Sequence, residues 1–439
     1  MKELLDKALE AADQAEVFHL AEESISASVR NGRLKEMGTS IQSGYSLRII
    51  KDGMLGTAYT KNLLDREELV RNAMASLKGR VEASFTFPGP GEMAELDTYD
   101  DSVEKVSPGE LQERASGIVD FIDGLDVEGE VSVGVGSGSD RIRIVNSSGL
   151  DVSQASSEYG GAALLHYPGT ETGIYASFQW PAPSDPDWDY IEKQVDLYKA
   201  TIPQVDIPTG RMKVLFMPTS LYALTWRLGA GASGKSFHTE TSPLLGRAGQ
   251  KVLSEKISIY NDPHDLSVTG ARAFDDEGVA TRRLSVFDRG VFLTPYVNLD
   301  YADKLGMEPT ATGYRGSMWG GETVAHQPTP SLRHLRFTYG DSGFDEMLRM
   351  MDRGVVVFGL LGAHSGNILN GDLSVGMNPG FFVEDGEIKG RVRDGMVAGN
   401  AYEMLQNVEA VQNGPYNPAG GSRHPCILLD DVSVSTRES

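Results

Sequence analysis

The chain has 439 residues and a formal net charge of −22 at neutral pH, with 40% hydrophobic and 23% charged residues. This length predicts two or three domains, and this composition indicates a folded globular protein. Phosphate backbones repel so acidic a surface, so direct nucleic-acid binding is disfavoured. The chain has no run of eighteen apolar residues, so no membrane-spanning helix is predicted. Its N-terminus also lacks a signal-peptide pattern, and together these two features favour a cytoplasmic protein.

The first predicted unit spans residues 1–85. Apolar residues at helical spacing predict a helix over 3–15, and a second helix follows over 65–79. Between them, Asn31-Gly32 and Asp52-Gly53 predict two hairpin turns, because these pairs supply the positive φ angles that tight turns need.

The second predicted unit spans residues 105–202. Ser107, followed by Pro108 and by Glu110, forms a capping-box pattern that predicts a helix running to about residue 123. Strand-like segments come next, and a helix over 188–201 closes the unit. Within it, GVGSGSD misses the spacing of a nucleotide-binding loop, so a β-turn is the preferred interpretation.

The third predicted unit, residues 209–436, is the largest. MKVLFM predicts a buried strand, and the residues at 219–230 predict a helix. Hairpin signals at Asp288–Gly290 and Asp385-Gly386 indicate further antiparallel strands, and HPCILLDDVSVS predicts a final one. The fold class is therefore α+β, with N-terminal α/β units containing antiparallel hairpins followed by a larger β-rich C-terminal domain.

A metal site was sought first among the eight histidines, and no two of them lie three to five residues apart. His238 and Glu240 could reach one divalent ion, but a solvated loop is the stronger interpretation. The single cysteine, Cys426, excludes an internal disulfide and a Cys-rich zinc cage, and it is predicted to be a small buried hydrophobe.

An acidic run, Asp275, Asp276 and Glu277, lies in AFDDEGVATRR. Neighbouring carboxylates can bind a divalent cation. Consecutive residues of an extended chain alternate faces, however, so these three converge poorly on one ion. We therefore expect an exposed turn that ends at Gly278.

A glycine-punctuated segment, LGAHSGNILNGDLSVG at 360–376, follows a predicted buried strand. It carries His364, Ser365, Asn367, Asn370 and Asp372. Such polar segments beside a buried strand either line a binding groove or form plain turns, and the pattern favours neither.

Several stretches of the chain together resemble the TldD/PmbA family. GYSLRIIKDGMLGTAYT looks like the family's G-x-x-x-R-x-x-x-x-G-x-x-G strand pair, and RIRIVNSSGL is similar to its N-S-x-G turn. AFDDEGVATRRLSVFDRGVFLTPYVNLDYADKLG resembles its D-D-E-G hairpin, and NGDLSVGMNPGFFVEDGEIKGRVRDGMVAGNAYEML resembles its C-terminal run. The order of these segments over some 400 residues makes chance agreement improbable.

The resemblance implies a division of labour within the family. TldD-type members carry H-E-x-x-x-H on the helix after the opening strand of the third unit, plus a cysteine near the C-terminus. These would hold zinc, and the glutamate would act as general base. When Gly229 of this chain is aligned with the glycine that precedes the second histidine of the family's motif, Thr225 and Ala230 stand in place of the two histidines. Trp226 then stands in place of the glutamate. Cys426 falls several residues after the expected cysteine.

The chain is thus identified as a PmbA-type (TldE-type) member that is not catalytic alone and carries no catalytic or metal residue. The resemblance implies a heterodimer with a zinc-bearing TldD-type subunit, and an unfolded peptide substrate held as an added strand. A homodimer is expected when the partner is absent. The expected groove residues are Phe274, Asp275, Asp276, Gly278, His364, Asn367 and Asp372.

Two other functions stay open at this point. One is an independent peptidase whose site is assembled from distant residues such as His238, His364 and Asp372. The other is a regulatory protein-binding module, as in the family's description as a modulator of DNA gyrase. The sequence identifies neither the peptide nor the pathway, and it leaves open whether a divalent ion binds at Asp275–Glu277 or at His238 and Glu240.

Overall fold

One antiparallel sheet of seven strands organises the N-terminal part of the chain, in the order β4-β3-β2-β1-β5-β6-β7. The computed structural model describes residues 1–316 and 320–436. The strands are β1 (Gln14–Arg30), β2 (Arg33–Lys51), β3 (Met54–Thr60), β4 (Val81–Glu82), β5 (Glu130–Asn146), β6 (Asp151–His166) and β7 (Gly173–Trp180). Because β1 pairs with β5, the first two predicted units contribute to one sheet. The boundaries 1–85, 105–202 and 209–436 stay predictions.

The two predicted hairpin turns are confirmed. Asn31 and Gly32 have φ angles of 48° and 69°, and Asp52 and Gly53 have φ angles of 49° and 71°. Both residues of each turn therefore lie in the left-handed region, which gives a turn whose twist matches that of the flanking strands.

Four helices accompany this sheet. They are α1 (Lys2–Leu9), α2 (Arg66–Ser76), α3 (Pro108–Asp123) and α4 (Trp188–Thr201). The capping box at Ser107 is confirmed, since the Ser107 hydroxyl accepts from the Glu110 N–H and the Glu110 carboxylate accepts from the Ser107 N–H. Helix α1 is shorter than predicted, because the chain enters β1 at Gln14 and buries the next residues in the sheet.

The predicted turn at Gly134, Gly136 and Gly138 is wrong, because all three glycines lie inside β5. Strand β5 pairs along its length with β1 on one side and β6 on the other. The alternating residues Val131 and Val133 are buried, and this alternation is the period of a strand.

A mixed sheet of ten strands dominates the C-terminal part, with smaller sheets beside it. Its strands are β8 (Gln204–Val205), β9 (Gly210–Phe216), β16 (Arg353–Val357), β17 (Leu360–Leu361), β18 (Asp372–Met377), β19 (Gly380–Glu384), β20 (Glu387–Val392), β21 (Gly395–Asn400), β22 (Val408–Val411) and β23 (Ile427–Thr436). The smaller sheets contain β10 (Ile259–Asn261), β11 (Leu284–Asp288), β12 (Val291–Phe292), β13 (Gly313–Tyr314), β14 (Thr329–Pro330) and β15 (Leu335–Phe337). The predicted α+β class, with a β-rich C-terminal part, is confirmed.

Five further helices lie in this part: α5 (Tyr222–Ala232), α6 (Gly234–His238), α7 (Leu299–Leu305), α8 (Phe344–Arg349) and α9 (Ala401–Met404). In the described residues, short 3-10 turns cover Leu77–Gly79, Asp101–Lys105 and Thr323–Ala325. No helix in residues 1–316 and 320–436 is long and apolar enough to cross a membrane.

Strand β9 shows how the large sheet is held in place. Leu215 packs into the core that contains helices α3 and α4, whereas Val214 and Phe216 pack into the core under α5. The strand is apolar on both faces because both are covered, which explains the unbroken hydrophobic run in MKVLFM. Helix α5 is thereby fixed against the sheet.

Candidate functional site

The acidic run Asp275–Glu277 lies in the interior, so the predicted exposed turn is wrong. Asp275, Asp276 and Glu277 are 0%, 1% and 0% exposed. A turn does form there, since Gly278 has a φ of 77° and Phe274 bridges to Ala280. Burial of three adjacent carboxylates is costly unless each one has hydrogen-bond partners.

Backbone N–H groups satisfy the Asp275 carboxylate. Its Oδ1 accepts from the N–H groups of Glu277 and Val279, each at 3.0 Å, and its Oδ2 accepts from Gly313 at 2.8 Å. Burial, and then the neighbouring Glu277 charge, raise the pKa of Asp275, and these N–H donors oppose the rise. Asp275 thus ties its own turn to strand β13.

Asp276 is held by arginines instead. Its Oδ1 accepts from Arg272 Nη2 at 2.9 Å, and its Oδ2 accepts from the backbone N–H of Arg315 at 2.8 Å. Arg272 and Arg315 are themselves 4% and 5% exposed. The Asp276 side chain therefore forms a buried ion pair within its own segment and a hydrogen bond to the backbone of the segment that follows β13.

Glu277 joins the N-terminal sheet to the C-terminal part through Arg48. Arg48 Nε and Nη2 bind the two oxygens of Glu16, both at 2.8 Å, and Arg48 Nη1 binds Glu277 Oε1 at 2.8 Å. Glu277 Oε2 also accepts from the N–H of Leu299. Burial disfavours the charged guanidinium, yet the two carboxylates outweigh it and raise the pKa of Arg48. We call Glu16, Arg48, Glu277 and Arg315 the junction network.

Arg315 is the second cation of the junction network. Its Nη1 donates to Ser46 Oγ at 3.0 Å and to the His326 carbonyl at 2.8 Å, and its Nη2 lies 3.4 Å from Glu16 Oε1. Burial, and then the positive charge of Arg48, lower the pKa of Arg315 to about 10. It stays protonated at neutral pH.

Two cavities lie beside these groups. The first, which we call the junction cavity, has a volume of about 380 Å³ and is lined by residues that include Asp140, Arg272, Asp276, Tyr314 and Arg333. The second, which we call the helix cleft, has a volume of about 840 Å³ and runs along α5. Thr329, Ser331 and Arg333 line both, so the two are neighbours along one segment.

One face of α5 lines the helix cleft and includes the degenerate motif positions Thr225, Trp226 and Ala230. They are joined there by Tyr222 and Gly229, at the spacing of a single helix face. A hydroxyl, an indole and a methyl group offer no strong ligand for zinc. In residues 1–316 and 320–436, no three His, Cys, Asp or Glu side chains are grouped to hold a metal ion.

The C-terminal segment reaches the same cleft without its cysteine. Gly421, Ser422 and His424 line the helix cleft, whereas Cys426 is fully buried with its Sγ 3.6 Å from Met217 Sδ. Burial lowers the pKa of His424 to about 4, and it raises the pKa of the Cys426 thiol. Cys426 is the buried hydrophobe that was predicted, and the donors at this cleft do not fit zinc.

The His364–Asp372 segment is fixed to α5 by Arg227, which is fully buried in the helix. Arg227 donates to the carbonyls of Asp372 at 2.7 Å, Ala363 at 3.1 Å and Ser365 at 2.7 Å. His364, Asn367 and Asp372 are exposed on this segment, and its Leu369 lines the helix cleft. Of the groove candidates, Asp276 lines the junction cavity, and the His364–Asp372 segment reaches the helix cleft through Leu369.

Some of these residues escaped the sequence analysis. Arg227 is a lone charge in an otherwise apolar helix, YALTWRLGAGA, and that contrast could have marked it as a buried anchor. Arg48 and Arg315 gave no such signal, because Arg48 reaches Glu277 and Arg315 reaches Glu16 only through contacts between segments that are far apart in sequence. His238, the last residue of α6, and Glu240, which follows that helix, are both exposed.

The fold is an N-terminal antiparallel sheet with helices followed by a large mixed C-terminal sheet, with the helix cleft along α5. The family model described as the PmbA/TldA metallopeptidase C-terminal domain matches residues 209–436, and the model of the family's domain 1 matches residues 15–77. The chain belongs to the PmbA/TldD metallopeptidase family.

Individual relatives agree with this assignment. The chain is 26% identical over 403 residues to a metalloprotease of Methanothermobacter thermautotrophicus, covering 87% of this chain and 84% of that one. It is 30% identical over 231 residues to the metalloprotease PmbA homolog of Haemophilus influenzae, covering 52% of this chain and 47% of that one.

Two solved structures share the fold along nearly the whole chain. TldE from Thermococcus kodakarensis superimposes with a TM-score of 0.88 at 26% identity, covering 99% of both chains. A proposed modulator of a DNA gyrase from Thermotoga maritima superimposes with a TM-score of 0.83 at 27% identity, covering 99% of this chain and 100% of that one.

Replacing Arg48 tests the junction network. Arg48→Met leaves the buried Glu277 without a cation and Glu16 with only the 3.4 Å contact of Arg315, so we expect the free energy of unfolding to fall by about 3–5 kcal/mol in urea titrations. The matched control is Arg143→Met on the same sheet, whose two hydrogen bonds to Asp151 are exposed. The control should cost less than about 1 kcal/mol. Equal losses in both variants would contradict the assignment.

Proposed function

We propose that the chain is the non-catalytic, TldE-type subunit of a two-subunit metallopeptidase that degrades or processes unfolded peptides. A TldD-type partner holds the zinc and supplies the general base. The observation that carries this proposal is the face of α5 at the helix cleft, where Thr225, Trp226 and Ala230 offer no strong ligand for zinc. Likeness to TldE along 99% of the chain supports it.

The retained cleft supports a role in holding substrate. Loss of the ligands has left a cavity of about 840 Å³ beside α5, still bordered by the segment that Arg227 fixes in place. A scaffold without a binding role has no need to keep such a cleft open. We propose that an unfolded peptide runs along it as an added strand, held by backbone hydrogen bonds that accept many sequences.

We propose distinct roles for the candidate groove residues. Asp276 borders the groove at the junction cavity, and Phe274, Asp275 and Gly278 form the rigid wall behind it because they are buried. The exposed residues that offer polar side chains to the peptide are His364, Asn367 and Asp372.

Organisation of the complex belongs to the same proposal. The chain forms a heterodimer with the TldD-type subunit in the cytoplasm and pairs with itself when that subunit is absent. Residues 1–85, 105–202 and 209–436 form its three domains. This chain itself holds no cofactor.

A second candidate is a regulatory protein-binding module, which the likeness to the proposed gyrase modulator favours. The net charge of −22 on this chain makes contact with DNA improbable, so the chain would act by binding a protein surface. Stoichiometric capture of purified gyrase by the isolated chain would favour this candidate over the peptidase subunit.

Co-expression tests the subunit role. We expect a stoichiometric complex with a TldD-type chain, zinc in the complex, and cleavage of an unfolded fluorogenic peptide that a chelator abolishes. The isolated chain should contain no stoichiometric zinc and should not cleave. Because the water-activating groups would lie in the partner, replacing the partner's motif glutamate should abolish cleavage. Chelator-sensitive cleavage by the isolated chain would favour an independent peptidase instead.

Exposed polar residues test the groove. In the reconstituted pair, the double variant His364→Ala/Asn367→Ala removes two hydrogen-bonding side chains from the proposed groove, so KM for the peptide should rise about three- to tenfold. Asn62→Ala, which removes an exposed amide after β3, serves as the control and should leave KM unchanged. Unchanged KM in both variants would remove His364 and Asn367 from the groove.

A further inference from the structure

The open face of the N-terminal sheet carries an acidic trough. Across strands β2, β1, β5 and β6, one row of cross-strand partners is Gln42, Glu22, Asp140 and Ser156. The next row is Ser40, Ser24, Gly138 and Glu158. These residues line a trough of about 380 Å³ that shares Glu22, Asp140 and Ser156 with the junction cavity. We call it the acidic trough.

Small side chains keep this face open. Gly136 and Gly138 form part of the trough floor, together with serines of β1 and β5. Helix α3 covers the opposite face, where Val131 and Val133 are buried in its core. The glycine-rich strand therefore has a structural consequence, because larger residues at these positions would fill the trough.

Charge in the acidic trough is one-sided. Its lining includes Glu22, Glu23, Asp140 and Glu158 and contains no Lys, Arg or His among the described residues. Glu22 and Asp140 face each other directly across β1 and β5, an arrangement that destabilises a sheet when the charges are alike. Burial raises the pKa of both carboxyls and the Asp140 charge further raises that of Glu22, whereas Arg333 opposes the rise at both and Arg272 opposes it at Asp140. Neither carboxylate accepts a hydrogen bond from any side chain that the structure describes.

An independent feature at the same place is Tyr314. It lines the junction cavity, as Asp140 does, and is only 3% exposed, yet its hydroxyl has no hydrogen-bond partner within residues 1–316 and 320–436. A buried hydroxyl without a partner is costly, and it can accept a hydrogen bond from an N–H donor that enters the cavity. Arg272 and Arg333 lie over the Tyr314 ring, with Cζ 6.0 Å and 5.7 Å from its centroid. Arg272 is paired with Asp276, and Arg333 is exposed at the border with the helix cleft.

We propose that the acidic trough, with the adjoining end of the junction cavity, binds a cationic group of the peptide, an ammonium or a guanidinium. Glu22 and Asp140 supply the opposite charge, and Tyr314 supplies a hydrogen-bond acceptor. The inference rests on the proposed function, since it takes the ligand to be an unfolded peptide. This site gives the two-subunit peptidase a preference for basic peptides. The positive charge comes from Lys or Arg side chains or from a free amino terminus.

Peptide binding to the isolated full chain tests this inference by fluorescence anisotropy. The probes are short labelled peptides of glycine, serine and alanine that carry a pair of lysines with an acetylated terminus, a pair of glutamines with an acetylated terminus, or no lysine with a free amino terminus. Because a hydrogen bond to a charged group contributes more than a neutral one, at least one cationic probe should bind about tenfold more tightly than the glutamine probe. The preferred probe identifies the source.

Two variants separate local recognition from general charge. Glu22→Gln/Asp140→Asn should reduce the preference to less than about threefold, and Tyr314→Phe should weaken binding of the cationic probe about threefold. Glu113→Gln/Asp123→Asn makes the same change in net charge on exposed residues of α3, on the opposite side of the sheet, and should keep the preference.

Stability gives a second readout. Since Glu22→Gln/Asp140→Asn removes a repulsive pair, the variant without peptide should unfold at the same or a higher urea concentration than the wild type. Equal affinity of the wild type for all probes, or equal loss of preference in the α3 control, would overturn the inference. Cleavage of the glutamine peptide by the reconstituted pair tests the proposed function separately and does not depend on this preference.

Discussion

The whole structure depends on one buried interaction, the contact of Arg48 with Glu16 and Glu277. It joins the centre of the N-terminal sheet to the acidic turn of the C-terminal part by charge-assisted hydrogen bonds of 2.8 Å. Charges this deeply buried are tolerated only when every partner is present, so the contact fixes one relative position of the two parts. That position places the junction cavity where the N-terminal sheet meets the segment after β13, and the junction cavity shares lining residues with the acidic trough and with the helix cleft. The polar features that we connect with function therefore lie around a rigid joint.

Local signals in the sequence predicted much of the fold. The turns at Asn31-Gly32 and Asp52-Gly53 and the capping box at Ser107 follow from neighbouring residues, and they form as expected. Features that depend on distant partners were missed or wrongly interpreted. The acidic run was expected at the surface, because nothing near it in sequence shows that Arg48 and the Gly313 N–H would satisfy its carboxylates in the interior. GVGSGSD was interpreted as a turn, because glycine favours turns locally, whereas pairing with β1 and β6 makes it a strand.

Sequence analysis identified the candidate site mainly through the absence of the metal ligands that the family resemblance led us to expect. The resemblance identified Thr225, Trp226 and Ala230 as replacements of metal ligands, and the structure places all three on one wall of the helix cleft. The cleft itself, Arg227 as the anchor of the His364–Asp372 segment, and the cross-strand pair of Glu22 and Asp140 depend on three-dimensional packing. In our account, the family scaffold has kept its substrate-holding surfaces in this chain while the water-activating chemistry lies in a partner. A subunit that only positions substrate can lose its metal ligands, provided that it keeps its cleft and the buried contact that joins its two parts.

The most direct test of this account is the zinc content of a chain in which the two histidines and the glutamate of the motif are restored. If the helix has kept the geometry of the family's metal-binding helix, Thr225→His/Trp226→Glu/Ala230→His should place two imidazoles and a carboxylate at the wall of the helix cleft. The account predicts that this variant binds zinc, measured by metal analysis after dialysis against a weak chelator, and that the wild-type chain treated in the same way contains none. Stoichiometric zinc in the wild-type chain would contradict the account.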